Sequence, residues 1–166
     1  MVEDYISKEL ISSIISEICN FTYDKFRIDK FNSDYEGFTF EINKTSFKSR
    51  LARKTQKKKG YFVSFWCKNE HNENIPLDYT TIENKLIINI IDDGKLGQFI
   101  FPKDILKDKN IVKSDKSKGK MAMRVYPSWI SDLNTTAKSA QSWQVKYFVN
   151  LTNDFNRDNL YSLYFH

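Results

Sequence analysis

The run Leu86-Ile87-Ile88-Asn89-Ile90-Ile91 sets the first constraint on the fold. It is too short for a good helix, and its branched side chains favour a central strand buried on both faces. Asp92-Asp93-Gly94-Lys95 then reads as a turn, and Gly97-Gln98-Phe99-Ile100-Phe101 as a second strand. Such a pair needs a covering layer on either side, and the flanking sequence supplies candidates for both.

Upstream, Ile6, Leu10, Ile11, Ile14, Ile15 and Ile18 recur at helical spacing, which predicts an amphipathic helix from Tyr5 to Asn20. Phe21 to Ser33 shows no clear period. From Tyr35 the period becomes two: Phe38 and Phe40 alternate with Thr39 and Glu41, and Asn43-Lys44 signals a turn. Ser46 to Lys54 continues as one extended segment, with Phe47, Ser49 and Leu51 on one side and Lys48, Arg50 and Ala52 on the other. The loop Thr55-Gln56-Lys57-Lys58-Lys59-Gly60 leads into a strand expected to reach Lys68, whose part Tyr61 to Cys67 reads as buried. Downstream, Pro102 opens a short helix through Leu106. Lys107 to Lys120 is a lysine-rich loop and the candidate for local disorder. Met121 to Tyr126 reads as a strand. Asn134 or Thr135 caps a helix carrying Ala137, Ala140, Trp143, Tyr147, Phe148 and Leu151, and the tail keeps enough apolar residues to pack. With 166 residues, no repeats and no linker, residues 1–166 read as a single α+β domain. The expected architecture is a sandwich with a central mixed sheet flanked by helices.

Charge separates one segment from the rest. The chain has 26 basic and 21 acidic residues, a formal +5. Nine of the basic residues fall between Asn43 and Asn69: Lys44, Lys48, Arg50, Arg53, Lys54, Lys57, Lys58, Lys59 and Lys68, with no Asp or Glu among them. The remainder holds 17 basic against 21 acidic residues, a net −4, so an acidic body carries one basic segment. Most charge runs are solvated faces. Nine positive charges without an interleaved carboxylate repel one another, however, and on a hairpin Lys48, Arg50 and Lys54 would project towards a row of phosphates. The loop with Lys113, Lys116, Lys118 and Lys120, together with Arg124, extends that surface. Tyr61, Trp66 or Trp143 would stack bases if exposed, although core packing is the ordinary role of each.

Other chemistries find little support. The two histidines, His71 and His166, sit in a polar loop and at the terminus, and Cys19 and Cys67 are isolated, so neither a nucleophile–base pair nor a zinc site is spelled out. No Gly-rich loop precedes a helix. Reduced thiols and the lack of a signal-like N-terminus or a spanning apolar run point to the cytoplasm, with no membrane association. A metal-dependent nuclease remains the alternative, with Asp78, Glu83, Asp93 or Glu36 as its acids: Glu83-Asn84-Lys85 and Asp93-Gly94-Lys95 match the acid-x-Lys form that such sites use. The first lies too close to Asp78 for paired strands, and the second coincides with a turn. A third reading is a docking module for an acidic protein regulator.

Five pieces resemble the MepB-like family, in the same order: Ser49-Arg50-Leu51-Ala52-Arg53-Lys54-Thr55, Gly60-Tyr61-Phe62-Val63-Ser64-Phe65-Trp66, Gly97-Gln98-Phe99-Ile100-Phe101-Pro102, Gly119-Lys120-Met121-Ala122-Met123-Arg124-Val125-Tyr126-Pro127 and Gln141-Ser142-Trp143-Gln144. Gln56 departs from the family, which usually has proline after the threonine. The resemblance implies a bacterial, cytosolic protein with a restriction-endonuclease-like, PD-(D/E)xK-type fold and nucleic-acid binding; one family member is encoded beside a multidrug efflux pump and its regulator. If the Gly60 strand matches the catalytic strand of that fold, Trp66-Cys67-Lys68 puts tryptophan where an acid is needed, which implies a degenerate site. The expectation is therefore a largely sequence-independent binder of nucleic acid, DNA ahead of RNA, with no catalytic residue, metal or cofactor. Arg50, Arg53, Lys54, Lys57, Lys58 and Lys59 are its expected phosphate contacts, supported by Lys118, Lys120 and Arg124. The oligomeric state is left open.

Overall fold

A computed structural model describes residues 4–166. Eleven strands and four helices are found among them: α1 (Ile6–Ile15), β1 (Asp24–Ile28), β2 (Phe38–Ile42), β3 (Thr45–Leu51), β4 (Arg53–Lys54), β5 (Tyr61–Ser64), β6 (Cys67–Lys68), β7 (Asn74–Ile75), β8 (Lys85–Asp92), β9 (Lys95–Pro102), α2 (Lys103–Asp108), β10 (Ala122–Val125), α3 (Thr135–Gln144), β11 (Phe148–Asn150) and α4 (Arg157–Phe165). Six of the strands form a mixed sheet in the order β1-β2-β3-β8-β9-β11. Its pairings are antiparallel except β3 with β8, which run parallel. Parallel neighbours need a crossover. Here the crossover carries β4 and β5, which join β10 in a small sheet of order β10-β5-β4.

The apolar run is the central strand β8, and both of its faces are covered. Ile87 joins Phe38, Phe40, Phe47 and Ile100 under α1 and α4, whereas Leu86, Ile88 and Ile90 meet Phe99, Phe101, Tyr61, Val63 and Val125 beneath the small sheet. Asn89 interrupts the run without leaving a polar group unpaired. Its Nδ2 donates to Ser49 Oγ and the Arg50 carbonyl, both at 2.9 Å, and its Oδ1 accepts from Gln98 Nε2 at 2.8 Å. The Tyr164 hydroxyl, reaching in from α4, donates to Gln98 Oε1 at 2.6 Å. A buried polar network of this kind rigidifies a core when its members are satisfied.

Turn residues do what their types allow. Asn43 and Lys44 both have positive φ (50° and 68°) in the β2–β3 hairpin, as do Asp93 and Gly94 (47° and 84°) between β8 and β9. The disagreements with the sequence reading lie mainly at element ends. α1 stops at Ile15, where the bonds Glu17 N to Ile14 O and Ile18 N to Ile15 O tighten the chain into a 3-10 turn. Phe21 to Ser33 contains an edge strand, β1. The segment Ser46 to Lys54 is not one strand but two in different sheets, separated at Ala52. The strand expected to reach Lys68 is likewise divided into β5 and β6. α3 ends at Gln144, and Phe148 instead pairs with Phe99 in β11. Residues 107–120 are tied down by buried Ile111 and Val112 and by Lys113 N donating to Leu77 O at 2.7 Å.

Candidate functional site

The basic segment divides at Ala52. On β3, Lys48 and Arg50 point to the face that the crossover covers, so both are buried. Arg50 is 0% exposed: its Nη2 pairs with the Asp29 carboxylate and its Nη1 donates to the Ser49 carbonyl at 3.0 Å. A Cβ on Gly37 would stand 2.7 Å from Arg50 Nη1, so glycine there leaves room for the guanidinium. Lys48 Nζ lies 3.6 Å from Glu83 Oε1, and burial, with Arg50 beside it, holds its ammonium below the usual lysine range. This corrects the expectation that Arg50 faces a phosphate. Its charge is compensated inside the fold, and no surface ligand reaches it.

Beyond Ala52, Arg53, Lys54, Lys57, Lys58 and Lys59 are exposed, and Lys68 is half-buried. Tyr61, Val63 and Val125 turn inward, so the alternation of the small sheet turns Phe62 and Arg124 outward. Arg53 and Arg124 both sit opposite Phe62, one on each neighbouring strand, which makes a cross-strand row of arginine, phenylalanine and arginine. The Arg124 guanidinium carbon is 5.9 Å from the Phe62 ring centroid. Its nitrogens also fasten the lysine loop, donating to Lys59 O at 3.2 Å and to Thr55 Oγ1 at 2.6 Å. The loop closes at Gly60, whose φ is +81° and whose hydrogen leaves no space for a side chain: a Cβ there would meet Tyr126 at 2.6 Å.

Four lysines differ in how far they are committed. Lys59 Nζ donates to the carbonyls of Ser131 and Asp132, each at 3.0 Å, and Lys54 Nζ is 3.5 Å from Asp92 Oδ2. Lys57 and Lys58 are exposed at the tip, with no ion pair among the described residues. A cavity of about 430 Å³ separates this tip from the start of α3, and Arg124, Asn134 and Thr136 help to line it. Lys120 lines a neighbouring cavity with Arg124 and Trp143. Lys118 is exposed on its own loop and lines none of these cavities.

Next to the arginine row is an aromatic groove of about 290 Å³, with Phe31, Tyr35, Phe62 and Trp66 as its rings. Asn32 Nδ2 donates to the Trp66 carbonyl at 2.8 Å and Arg53 Nε to the Asp34 carbonyl at 2.8 Å, which hold the groove's two sides. Phe31 is 39% exposed, and cations rim the rings: Lys30 is 5.0 Å from Phe31, and Lys68 is 5.5 Å from Trp66. Of the three rings singled out in the sequence, Trp66 alone is in this groove. Tyr61 is buried, and Trp143 packs on Phe101 with centroids 5.3 Å apart. Phe62 was legible as the opposite parity of Tyr61, Val63 and Phe65; Phe31 and Tyr35 carried no local signal. Chemically the surface suits a ligand that alternates anionic groups with planar ones.

The acids considered for metal chemistry have other partners or positions. Asp78 Oδ1 accepts from Thr80 N and Oγ1, Glu36 Oε1 accepts from Ser7 N and Oγ, Glu83 pairs with Lys48, and Asp93 lies in the hairpin turn. Among the described residues no group of three or more His, Cys, Asp or Glu is placed to hold a metal, and no helix is long and apolar enough to cross a membrane.

Comparison with known proteins bears on the same region. A family model described as MepB-like matches residues 29–150, which take in the groove, the arginine row and the lysine loop. The chain belongs to the MepB-like family. Its fold is similar to the solved crystal structure of MepB, with a TM-score of 0.79 and 42% sequence identity over 90% of this chain and 99% of that one. None of the curated proteins compared with the chain matches it. As a MepB-like protein it keeps both parts of the surface inside the family region, and among the described residues α1, β1 and α4 fall outside it.

Proposed function

We propose that the chain is a cytoplasmic nucleic-acid-binding protein that holds the phosphate backbone, of DNA in the first place, without reading sequence. The observation that carries this reading is the cross-strand row Arg53, Phe62 and Arg124, running on one side to the exposed lysine loop and on the other to the aromatic groove. Exposed cations supply affinity independent of sequence, and rings in a groove stack any base, because every base has a π-face. Arg53, Lys54, Lys57, Lys58, Lys59 and Arg124 are the contacts, with Lys120 and Lys118 at the margin. Strands with unpaired bases use both parts of the surface, whereas a closed duplex uses the charges alone. The restriction-endonuclease-like ancestry implied by the family resemblance belongs to the same proposal: a nuclease-like scaffold kept for binding, with Glu83 and Glu36 engaged in internal contacts.

A mobility-shift titration over a range of salt tests the reading. The triple variant Lys57→Glu, Lys58→Glu, Lys59→Glu should bind more weakly, with a log–log salt slope shallower by about 2–3, since each neutralised phosphate contributes about −0.9 on duplex. A triple variant that binds like the parent refutes it.

A further inference from the structure

A second cavity borders the lysine loop and shares no residue with the aromatic groove. It measures about 440 Å³ and lies between the loop, the end of the β8–β9 hairpin and residues 129–131. Lys54, Lys57, Lys58, Lys59 and Lys95 line it, with Asp92 as the single carboxylate among the described residues, so five ammonium groups against one acid leave a formal +4. Trp129 forms an aromatic wall. That wall is fixed from behind. The Trp129 indole N–H donates to the Tyr61 hydroxyl at 3.3 Å, and that hydroxyl donates to Asp92 Oδ2 at 2.6 Å. Phe148 packs edge-on against Trp129 with centroids 5.5 Å apart. Lys95 Nζ stands 5.8 Å from the Trp129 ring. Lys59 ties the loop to the segment that follows Trp129, through the carbonyls of Ser131 and Asp132.

We propose that this cavity binds a nucleoside 5′-polyphosphate group, its base against Trp129 and its phosphates among Lys54, Lys57, Lys58, Lys59 and Lys95. The charge carries the choice of ligand. An internal phosphodiester brings one negative charge per nucleotide, too little for a cavity at +4, whereas a 5′-triphosphate brings close to the matching amount. The volume is in the range of about 300–1,000 Å³ that small-ligand sites occupy. Asp92 Oδ1 makes no hydrogen bond among the described residues and is left to accept from ribose hydroxyls or a base N–H, while Oδ2 is held by Tyr61 and Lys54. The same chemistry occurs in a free nucleoside triphosphate and at the 5′ end of a triphosphorylated strand. The inference rests on the lysine loop being a phosphate-binding surface and extends it from the backbone to the terminal group.

Calorimetry and tryptophan fluorescence on the full chain test it, with GTP, ATP, guanosine, inorganic triphosphate, and oligonucleotides bearing a 5′-triphosphate or a 5′-hydroxyl. Either nucleotide should bind and quench fluorescence, and guanosine should not. Trp129→Leu should weaken nucleotide binding by about tenfold, the scale of losing one stacked base. Exposed Lys95→Ala provides a second reading should Trp129→Leu melt early, and it should also weaken the nucleotide. A triphosphorylated strand that binds tighter than its 5′-hydroxyl counterpart, with free GTP failing, assigns the site to strand ends; free GTP binding with no difference between the strands assigns it to the nucleotide. Inorganic triphosphate binding as tightly as GTP, with Trp129→Leu and Lys95→Ala both without effect, overturns the site. So does the failure of every polyphosphate while the 5′-hydroxyl strand still binds, and that result leaves the backbone-binding reading standing. Failure of every ligand overturns both.

Discussion

Lys48 and Arg50 lie within a dozen residues of Lys57 and Lys58, yet the two pairs have opposite fates. The first pair is buried beside Asp29 and Glu83; the second stands at a loop tip with no ion pair among the described residues. The difference teaches that local charge density alone does not mark a binding surface. The crossover from β3 to β8 folds over one pair and carries the other outward. Buried charges need compensation and become part of the fold, whereas exposed ones remain available to a partner.

The largest expected effect breaks the buried half of this comparison. Asp29→Ala leaves the Arg50 guanidinium in the interior with the Ser49 carbonyl as its remaining hydrogen-bond partner among the described residues, and should cost about 3–5 kcal/mol in a urea denaturation series. A loss below about 1 kcal/mol, the scale of an exposed pair, would show that the two halves are alike. Next comes the groove. Phe62→Ala and Trp66→Ala should each weaken single-stranded DNA by about 1–3 kcal/mol, the scale of one stacked base, and leave duplex binding nearly unchanged. Parallel fluorescence anisotropy titrations check this, and equal losses on both substrates would assign the rings to packing.

The smallest effect concerns Tyr61, the inward neighbour of Phe62. Burial, reinforced by the hydrogen bond to Asp92, raises its phenol from the ordinary 10 to about 12. The folded state thus favours the protonated phenol. The stability it contributes is fully present below pH 10 and is lost as pH rises towards about 12. Denaturation midpoints across that window should fall more steeply for the parent than for Tyr61→Phe, and identical slopes would place the phenol in a solvent-like setting.

Much of the fold was legible because periodicity and turn chemistry are local. The run at Leu86, the Asn43-Lys44 and Asp92-to-Lys95 turns and the Asn134 cap (whose Oδ1 accepts from Ala137 N at 2.9 Å) all appear where their residue types predict. The breaks at Ala52 and after Gln144 were not legible, since extended and helical periods run on through both points and only pairing partners decide where they stop. Within the site, Arg53, Lys54, Lys57, Lys58, Lys59 and Arg124 are brought around one surface as their charge suggested, and Arg50 is withdrawn from it. The aromatic groove brings Phe31, from a segment without clear periodicity, and Tyr35, from just beyond its end, to Phe62 and Trp66.

The sequence by itself determined which residues alternate, where the hairpins turn and that one segment would carry the positive charge. Those properties depend on neighbours within a few positions. The tertiary structure alone decided which of the charges a ligand can reach. Asp29, 21 residues from Arg50, is brought to it by the sheet order β1-β2-β3, and the crossover closes over the pair. Compensation between charges depends on distance in space, and chain separation does not report it.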